Sequence, residues 1–495
     1  MQDAAPWQKR YDRMLVYSLL IGLAGQYLFV GREFGVSVPL FIACFYGLFF
    51  YAVQGRIGGF DRWKGQQLSG ILLFIPIALL SLTYVFYRND FFHHFNVLLL
   101  ILLVVAQTLL LTRSGSQPWH RLVFYGELLL QWLFMPLTHL MVPFSLAGNW
   151  LRPGGGNSGA RSNLRQVGFG LLIAAPLLFV VVSLLSSADG IFQGWLNHIP
   201  QGIYSAWAGK TLVRLIVGGG IALYLFCYLW SLLFRKSLKP AAGAALQPYR
   251  EKALLDSIAA STALILVNVV YILFTAIQFT YLFGGADGLL PEGVSYAEYT
   301  HRGFAELVLV AMINLGILMV GLHYIRSASP LQERLRKLLL SVLMGCTIVM
   351  LISAYSRLSL YEEAYGYTLL RLLVQGFMLL LGVWISVSLV RIWTYRFSLA
   401  KFYISSAIVA YVIMNYANLD ARIAEGNLDR YEHTGEIDVY YLGTLSTDAL
   451  PAIKQMEKRF PELEGVDDII SQMRKEAAAK KHWQSWNLSL RQAKE

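Results

Sequence analysis

Glu298, Arg302 and Glu306 recur at intervals of four within the polar stretch 295–307. On a helix that spacing stacks them on one face. Glu306 sits at the start of an apolar run, where a partly buried carboxylate needs a partner or takes up a proton. Arg302 is its nearest candidate. Arg357, Tyr361 and Tyr365 repeat the four-residue interval, and Arg371 stands at the mouth of the next apolar segment. Alternation of the apolar segments puts these stretches and Asp189 on one side of a membrane. Asp189, Glu298, Arg302, Glu306, Arg357, Tyr361 and Arg371 are therefore candidate ligand-binding residues, lining a polar, aromatic-rimmed cavity. The same set also reads as a salt-bridge network clamping helix ends, with the tyrosines in an aromatic belt. Ionisable groups at membrane depth point to function, but that argument weakens at the membrane edge.

Catalysis finds little support. Glu298 or Glu306 as a general base would need a raised pKa and no neutralising arginine, yet Arg302 lies between them. His93-His94 beside Asp90 lacks further ligands at metal-binding spacing, and there is no HExxH, GxSxG or phosphate loop. No catalytic residue, metal or cofactor is assigned. Asn268, Gln278 and Asn314 are single polar residues in long apolar runs, as expected of hydrogen bonds between helices. Cys44, Cys227 and Cys346 lie far apart in apolar segments and read as small buried hydrophobes.

The elements that must position these residues are membrane helices. The 495-residue chain is 56% hydrophobic and 14% charged, against about 25% charged in soluble domains. A crossing takes about 20 apolar residues. Clear candidates are Met14–Gly31, Val36–Val53, Ser69–Tyr87, Phe91–Thr112, Gln166–Ser186, Thr211–Phe234, Ile258–Phe283, Phe304–Tyr324, Leu338–Tyr355, Thr368–Ile392 and Phe402–Tyr416. Leu122–Phe144 is weaker, because it holds Glu127, Gln131, Pro136, His139 and Pro143. The fold class is all-α, a polytopic transmembrane bundle with a small helical C-terminal extramembrane domain. The run after Lys9-Arg10 is too long for a secretory signal and reads as an uncleaved first helix.

The net charge of +11 reads as a topology signal rather than as nucleic-acid binding. Basic residues concentrate before Met14 and in alternate loops, from Arg56–Lys64 to Arg391–Lys401, while the intervening loops hold only Arg32, Arg88, Lys210, Arg302, Arg357 and Arg371. The alternation holds throughout if Leu122–Phe144 is re-entrant, interfacial or packed deep among other helices. The expectation is eleven crossings of the cell membrane, with a cytoplasmic N-terminus and an extracytoplasmic C-terminus.

Three regions follow: N-terminal helices in 1–150, core helices with outer polar loops in 165–417, and a tail in 418–495. The stretch Pro153–Gly159 is a linker by composition. Gly218-Gly219-Gly220 lies inside a helix and suits close helix packing, with a hinge as the alternative. In the tail, Ser446-Thr447-Asp448 has the form of a helix start, Pro461 ends that run, and Val466, Ile469, Ile470 and Met473 share one face of a second helix. Tyr440, Tyr441, Leu442 and Leu445 form an apolar cluster expected to pack inward.

The pattern resembles a bacterial membrane family catalogued as a domain of unknown function, number 4173, related to number 4153. The resemblance rests on Ser187-Ala188-Asp189; Tyr296–Tyr299 with Arg302-Gly303-Phe304; and Ser353-Ala354 with Arg357, Tyr361, Tyr365-Gly366 and Arg371. It continues through Asn418, Asp420, Asn427, Arg430, Asp438, Tyr441-Leu442 and Ser446 to Asp448. The chain departs from the pattern at Gly190, where proline is expected. The resemblance implies an integral membrane protein and assigns no reaction. The functional expectation is a non-enzymatic protein binding a ligand or partner at its outer face, in transport, sensing or the envelope. An enzyme acting on a lipid-linked substrate and a structural subunit of a complex are the alternatives. Its surroundings are the lipid bilayer and a membrane or envelope partner.

Overall fold

The computed structural model describes residues 11–53, 66–150, 185, 206–234, 255–283, 304–326, 329–394 and 397–494. They are almost entirely helical. Among the described residues nine helical stretches are long and apolar enough to cross a membrane, and the shorter Ser37–Val53 is apolar as well. The chain divides into two compact units, Met1–Val85, Phe95–Leu238 and Lys480–Asn487 forming one, and Phe86–His94, Lys239–Ala479 and Leu488–Glu495 the other.

The first unit contains α1 (Tyr11–Phe29), α2 (Ser37–Val53), α3 (Gln66–Leu72), α4 (Phe74–Phe86), most of α5 (Asp90–Thr112), α6 (Leu122–Leu133), α7 (Met141–Trp150) and α8 (Ala206–Phe234). α3 and α4 form one apolar stretch with an interruption at Leu73. Pro76 explains it, since a proline ring collides with the carbonyl four residues back, here Leu72. α1 and α8 approach very closely: a Cβ on Gly22 would lie 2.2 Å from the Gly218 carbonyl oxygen and 2.7 Å from the Ala222 Cβ. The glycine triplet in α8 thus contributes a packing surface through Gly218, while Gly219 and Gly220 face open space.

Leu122–Ala147 is long and apolar enough to cross, but it is not one continuous helix. α6 ends at Leu133, a 3-10 turn covers Leu137–His139, and α7 follows. Pro136 has no N–H to offer the Trp132 carbonyl, and the Tyr224 hydroxyl of α8 donates to it instead at 3.0 Å. Other polar groups close on one another: Gln131 donates to Ser231 at 2.6 Å, Thr108 meets the Tyr228 hydroxyl at 2.5 Å, and Gln107 donates to the Gly70 carbonyl at 2.9 Å.

The second unit contains α9 (Ser257–Phe283), α10 (Phe304–His323), α11 (Pro330–Tyr365), α12 (Leu369–Trp393) and α13 (Leu399–Tyr416). Its apolar core joins Leu264, Ala311, Leu318, Leu343, Met350, Leu381 and Ile385. The three polar residues singled out above do link helices. Asn268 donates to the Leu339 carbonyl at 2.9 Å; Asn314 accepts from Tyr271 at 3.0 Å and donates to Thr347 at 2.9 Å; Gln278 accepts from Ser353 at 2.7 Å. On α9, Leu266 and Leu273 are each 64% exposed, an outward face suited to lipid rather than water. Leu255-Asp256 and Ile325-Arg326 pair as a two-residue parallel bridge.

The tail is ordered and helical: α14 (Leu419–Thr434), α15 (Val439–Leu442), a 3-10 turn at Thr447–Ala449, α16 (Leu450–Arg459), α17 (Val466–Ala479) and α18 (Leu488–Lys494). Ala424, Leu428, Leu442, Ile453, Met456, Ile470, Met473 and Leu490 make its core. Ser446 starts the turn as expected, accepting from the Asp448 amide. One expectation fails: Tyr440 is 86% exposed while Leu442 is buried, because in so short a helix only one side meets the core.

Candidate functional site

The polar stretch after Tyr355 is helix, not loop. α11 runs to Tyr365, about ten residues past its apolar segment. A helix leaves its last four carbonyls without internal partners, and here two arginines take all four. Arg430 of α14 donates through Nε to the Glu363 carbonyl at 3.0 Å and through Nη2 to that of Ala364 at 2.6 Å. Arg371 of α12 donates to the carbonyls of Tyr365, at 3.2 Å, and Gly366. Two cations at this end also oppose the helix dipole.

The structure brings Arg371 and Tyr361 together, the guanidinium lying 4.3 Å from the ring centroid, a cation–π contact. Tyr361 and Tyr365 have ring centroids 4.9 Å apart, as the four-residue spacing requires. Arg357 donates instead to Gln278 of α9 at 3.1 Å. Glu306, expected to be partly buried, is exposed in the first turn of α10. Asp189, Glu298 and Arg302 lie outside the described residues. Absent from the candidate set was Glu362, which is 1% exposed. Gln375 donates to its Oε2, and its Oε1 has no hydrogen-bond partner among the described residues. Its place on the inner side of α11, between Tyr361 and Glu363, was the available signal.

Beside this helix end the tail grips two turns. Asn427 brackets Tyr367, and the Tyr441 hydroxyl accepts from the Leu369 amide at 2.9 Å. Gly366 has φ +82°, and a Cβ there would lie 2.5 Å from the Asn427 Oδ1, so glycine is needed for both conformation and room. At the turn before α5, Asn89 donates to Asp420 at 2.7 Å and the Arg88 amide to Asp448 at 2.7 Å. Burial pushes the Asp448 carboxyl up to about 6, against hydrogen bonds from Ser489 and the Arg88 amide, and nearby Asp420 adds to the rise. Burial also raises Asp420. Most of the tail residues that carried the family resemblance (Asn418, Asp420, Asn427, Arg430, Asp438, Tyr441, Ser446, Asp448) make caps or clamps. His93 and His94 bond to the carbonyls of Tyr87 and Asp90, and among the described residues no cluster of three metal-ligating side chains exists.

The first unit holds a cavity of about 580 Å³, within the roughly 300–1,000 Å³ range of ligand pockets. Phe29, Phe34 and Phe41 line it with Ile101, Trp132, Gly220, Tyr224 and Tyr228, among others. Its walls are almost wholly apolar. The Tyr224 and Tyr228 hydroxyls are committed to Trp132 and Thr108. The space can hold hydrocarbon but offers no group for general acid, base or nucleophilic chemistry. Six helices, α1, α2, α4, α5, α6 and α8, meet there, so no local sequence pattern announces it.

Many apolar helices and an ordered polar tail define a polytopic helical membrane protein. The chain belongs to the family described as Domain of unknown function (DUF4153), whose model matches residues 74–456. The match names number 4153 where the motif residues pointed to number 4173. No curated protein and no solved structure matches the chain.

Proposed function

We propose that this is a non-enzymatic integral membrane protein that binds the hydrocarbon chain of a lipid in the cavity of its first unit. The observation that carries the reading is the cavity itself: about 580 Å³ of apolar space, roughly four times the ~150 Å³ apolar cavity that holds one benzene. That suits a single long chain. Gly220 supplies the test, because it lines the space and a Cβ there meets nothing within 4 Å. Gly220→Leu fills the cavity and improves helix propensity, so lost binding would not reflect lost folding. A fluorescent long-chain fatty acid should bind the purified protein and fail to bind Gly220→Leu; equal binding to both overturns the reading.

The orientation belongs to the same proposal: N-terminus cytoplasmic, C-terminus extracytoplasmic, in the cell membrane. It is supported by the basic-loop bias and by the tail, which grips the α11–α12 turn and the turn before α5. Tyr440→Cys, in a Cys44→Ser background, should label with an impermeant thiol reagent in intact cells. Labelling only after permeabilisation reverses the orientation. The finer kinship with family 4173, which rests on the motif residues, is part of this reading, as is a partner in the membrane or envelope.

A second reading keeps the outer polar cluster as a site, favoured by the sealed, unpartnered Oε1 of Glu362. Such an oxygen suits a cationic ligand held with Tyr361 and Tyr365. Calorimetric titration with small organic ammonium ions, wild type against Glu362→Gln, decides it: no heat difference between them removes the site.

A further inference from the structure

Inside a bilayer an apolar cavity cannot select its occupant by hydrophobicity, because lipid tails are as apolar as leucine. Selection needs a polar anchor at the cavity's end. The loop between α1 and α2 lies between Phe29 and Phe34, both of which line the cavity. Most of its polar groups are tied to the C-terminal segment of the same unit. The Glu33 amide donates to Ser485 Oγ at 3.0 Å, and that hydroxyl donates back to the Glu33 carbonyl at 3.0 Å. The Glu33 carboxylate pairs with Lys480, and the Val36 amide donates to the Trp486 carbonyl at 3.1 Å. Gly35 packs so tightly on this segment that a Cβ would lie 2.7 Å from the Ser485 carbonyl carbon.

Arg32 is the exception. Its guanidinium makes one weak contact, Nη1 to the neighbouring Gly31 carbonyl at 3.4 Å. Its Nε is buried with no hydrogen-bond partner among the described residues. A guanidinium presents five donors in a fork that fits carboxylates and phosphates. A buried donor left without an acceptor is costly, so this position calls for one. The surrounding backbone is fixed by the Ser485 and Trp486 bonds, which makes the loop a pre-organised frame.

We infer that the cavity takes a single-chain anionic amphiphile, its chain in the apolar space and its carboxylate or phosphate head on Arg32. This rests on the chain-binding reading above and adds the head. A free fatty acid and an isoprenoid phosphate present the same chemistry and are separated by the test.

The experiment measures binding of a fluorescent polyene fatty acid and of the corresponding neutral alcohol to the full-length protein in zwitterionic lipid nanodiscs. Wild type should prefer the acid by about tenfold or more, the size of one hydrogen bond to a charged group. Arg32→Ala should abolish that preference, while Arg32→Lys should restore part of it. Competition by unlabelled fatty acid against polyprenyl phosphate then ranks the two sources, and displacement by either supports an anionic head. Equal binding of acid and alcohol by wild type overturns the anionic head but leaves chain binding intact, and it does so even if Arg32→Ala does not fold. An acid preference that survives in folded Arg32→Ala overturns Arg32 as the anchor. Failure of both probes to bind wild type overturns both inferences.

Discussion

Asn427 holds both backbone polar atoms of Tyr367: the Tyr367 amide donates to Asn427 Oδ1 at 2.9 Å, and Asn427 Nδ2 donates to the Tyr367 carbonyl at 3.0 Å. The two residues lie sixty positions apart, one on the first tail helix and one in the turn between α11 and α12. One side-chain amide therefore does for this turn what a neighbouring strand would do. Asn427→Ala leaves both half-buried backbone groups without this partner, at a cost of roughly 1–3 kcal/mol. The tail should then be cut within Leu442–Phe460 faster than in wild type under limited proteolysis. An unchanged cleavage rate would show that the clamp does not hold the tail.

The two arginine caps give a separate prediction. Arg430 spans two carbonyls with one planar fork, which lysine cannot copy. Arg430→Lys should lower the thermal midpoint of the detergent-solubilised protein, and Arg430→Ala should lower it further, by about 1–3 kcal/mol in stability. If lysine matches arginine, the fork geometry is irrelevant.

At the α1–α8 contact, backbone meets backbone, so there is no flexible side chain to yield. Gly22→Ala should destabilise the protein by about 1–3 kcal/mol, measured as loss of the monodisperse peak on heating. Gly47→Ala, where nothing lies within 4 Å, should be neutral or slightly stabilising. Equal behaviour of the two would contradict the close approach.

Asp448 sets a pH dependence. Its carboxyl is raised from an ordinary 3.8 to about 6 by burial, so the docked tail binds the proton more tightly than the released tail. The docking free energy is therefore highest below about pH 4, falls as pH rises through about 6, and is level above it. The change is on the order of 3 kcal/mol. Asp448→Asn keeps an acceptor for the Arg88 amide and removes the charge. It should flatten the dependence of tail proteolysis between about pH 4 and pH 6, the window of the shift, leaving only the contribution of Asp420. A wild-type tail that tightens as pH rises through this window would contradict the assignment.

Apolar composition alone located the long apolar helices of the described residues, because a run of about 20 apolar residues is a local property; the expected segment Gln166–Ser186 lies almost wholly outside those residues. The sequence by itself also marked Leu122–Phe144 as unlike the other apolar segments, and it determined the roles of Asn268, Gln278 and Asn314 between helices and the start of the tail turn at Ser446. Each depends on a residue's own chemistry in its immediate surroundings. Only the tertiary structure decided that Arg371 and Arg430 would cap one helix end, since each carbonyl chooses among donors from distant elements. It decided that Glu306 is exposed rather than partly buried, because the start of an apolar run does not fix which side of the first turn meets a neighbour. It also decided the cavity, which exists where Phe41, Ile101, Trp132 and Gly220 from four helices fail to meet. A void is a property of packing between elements, and no stretch of the sequence contains it.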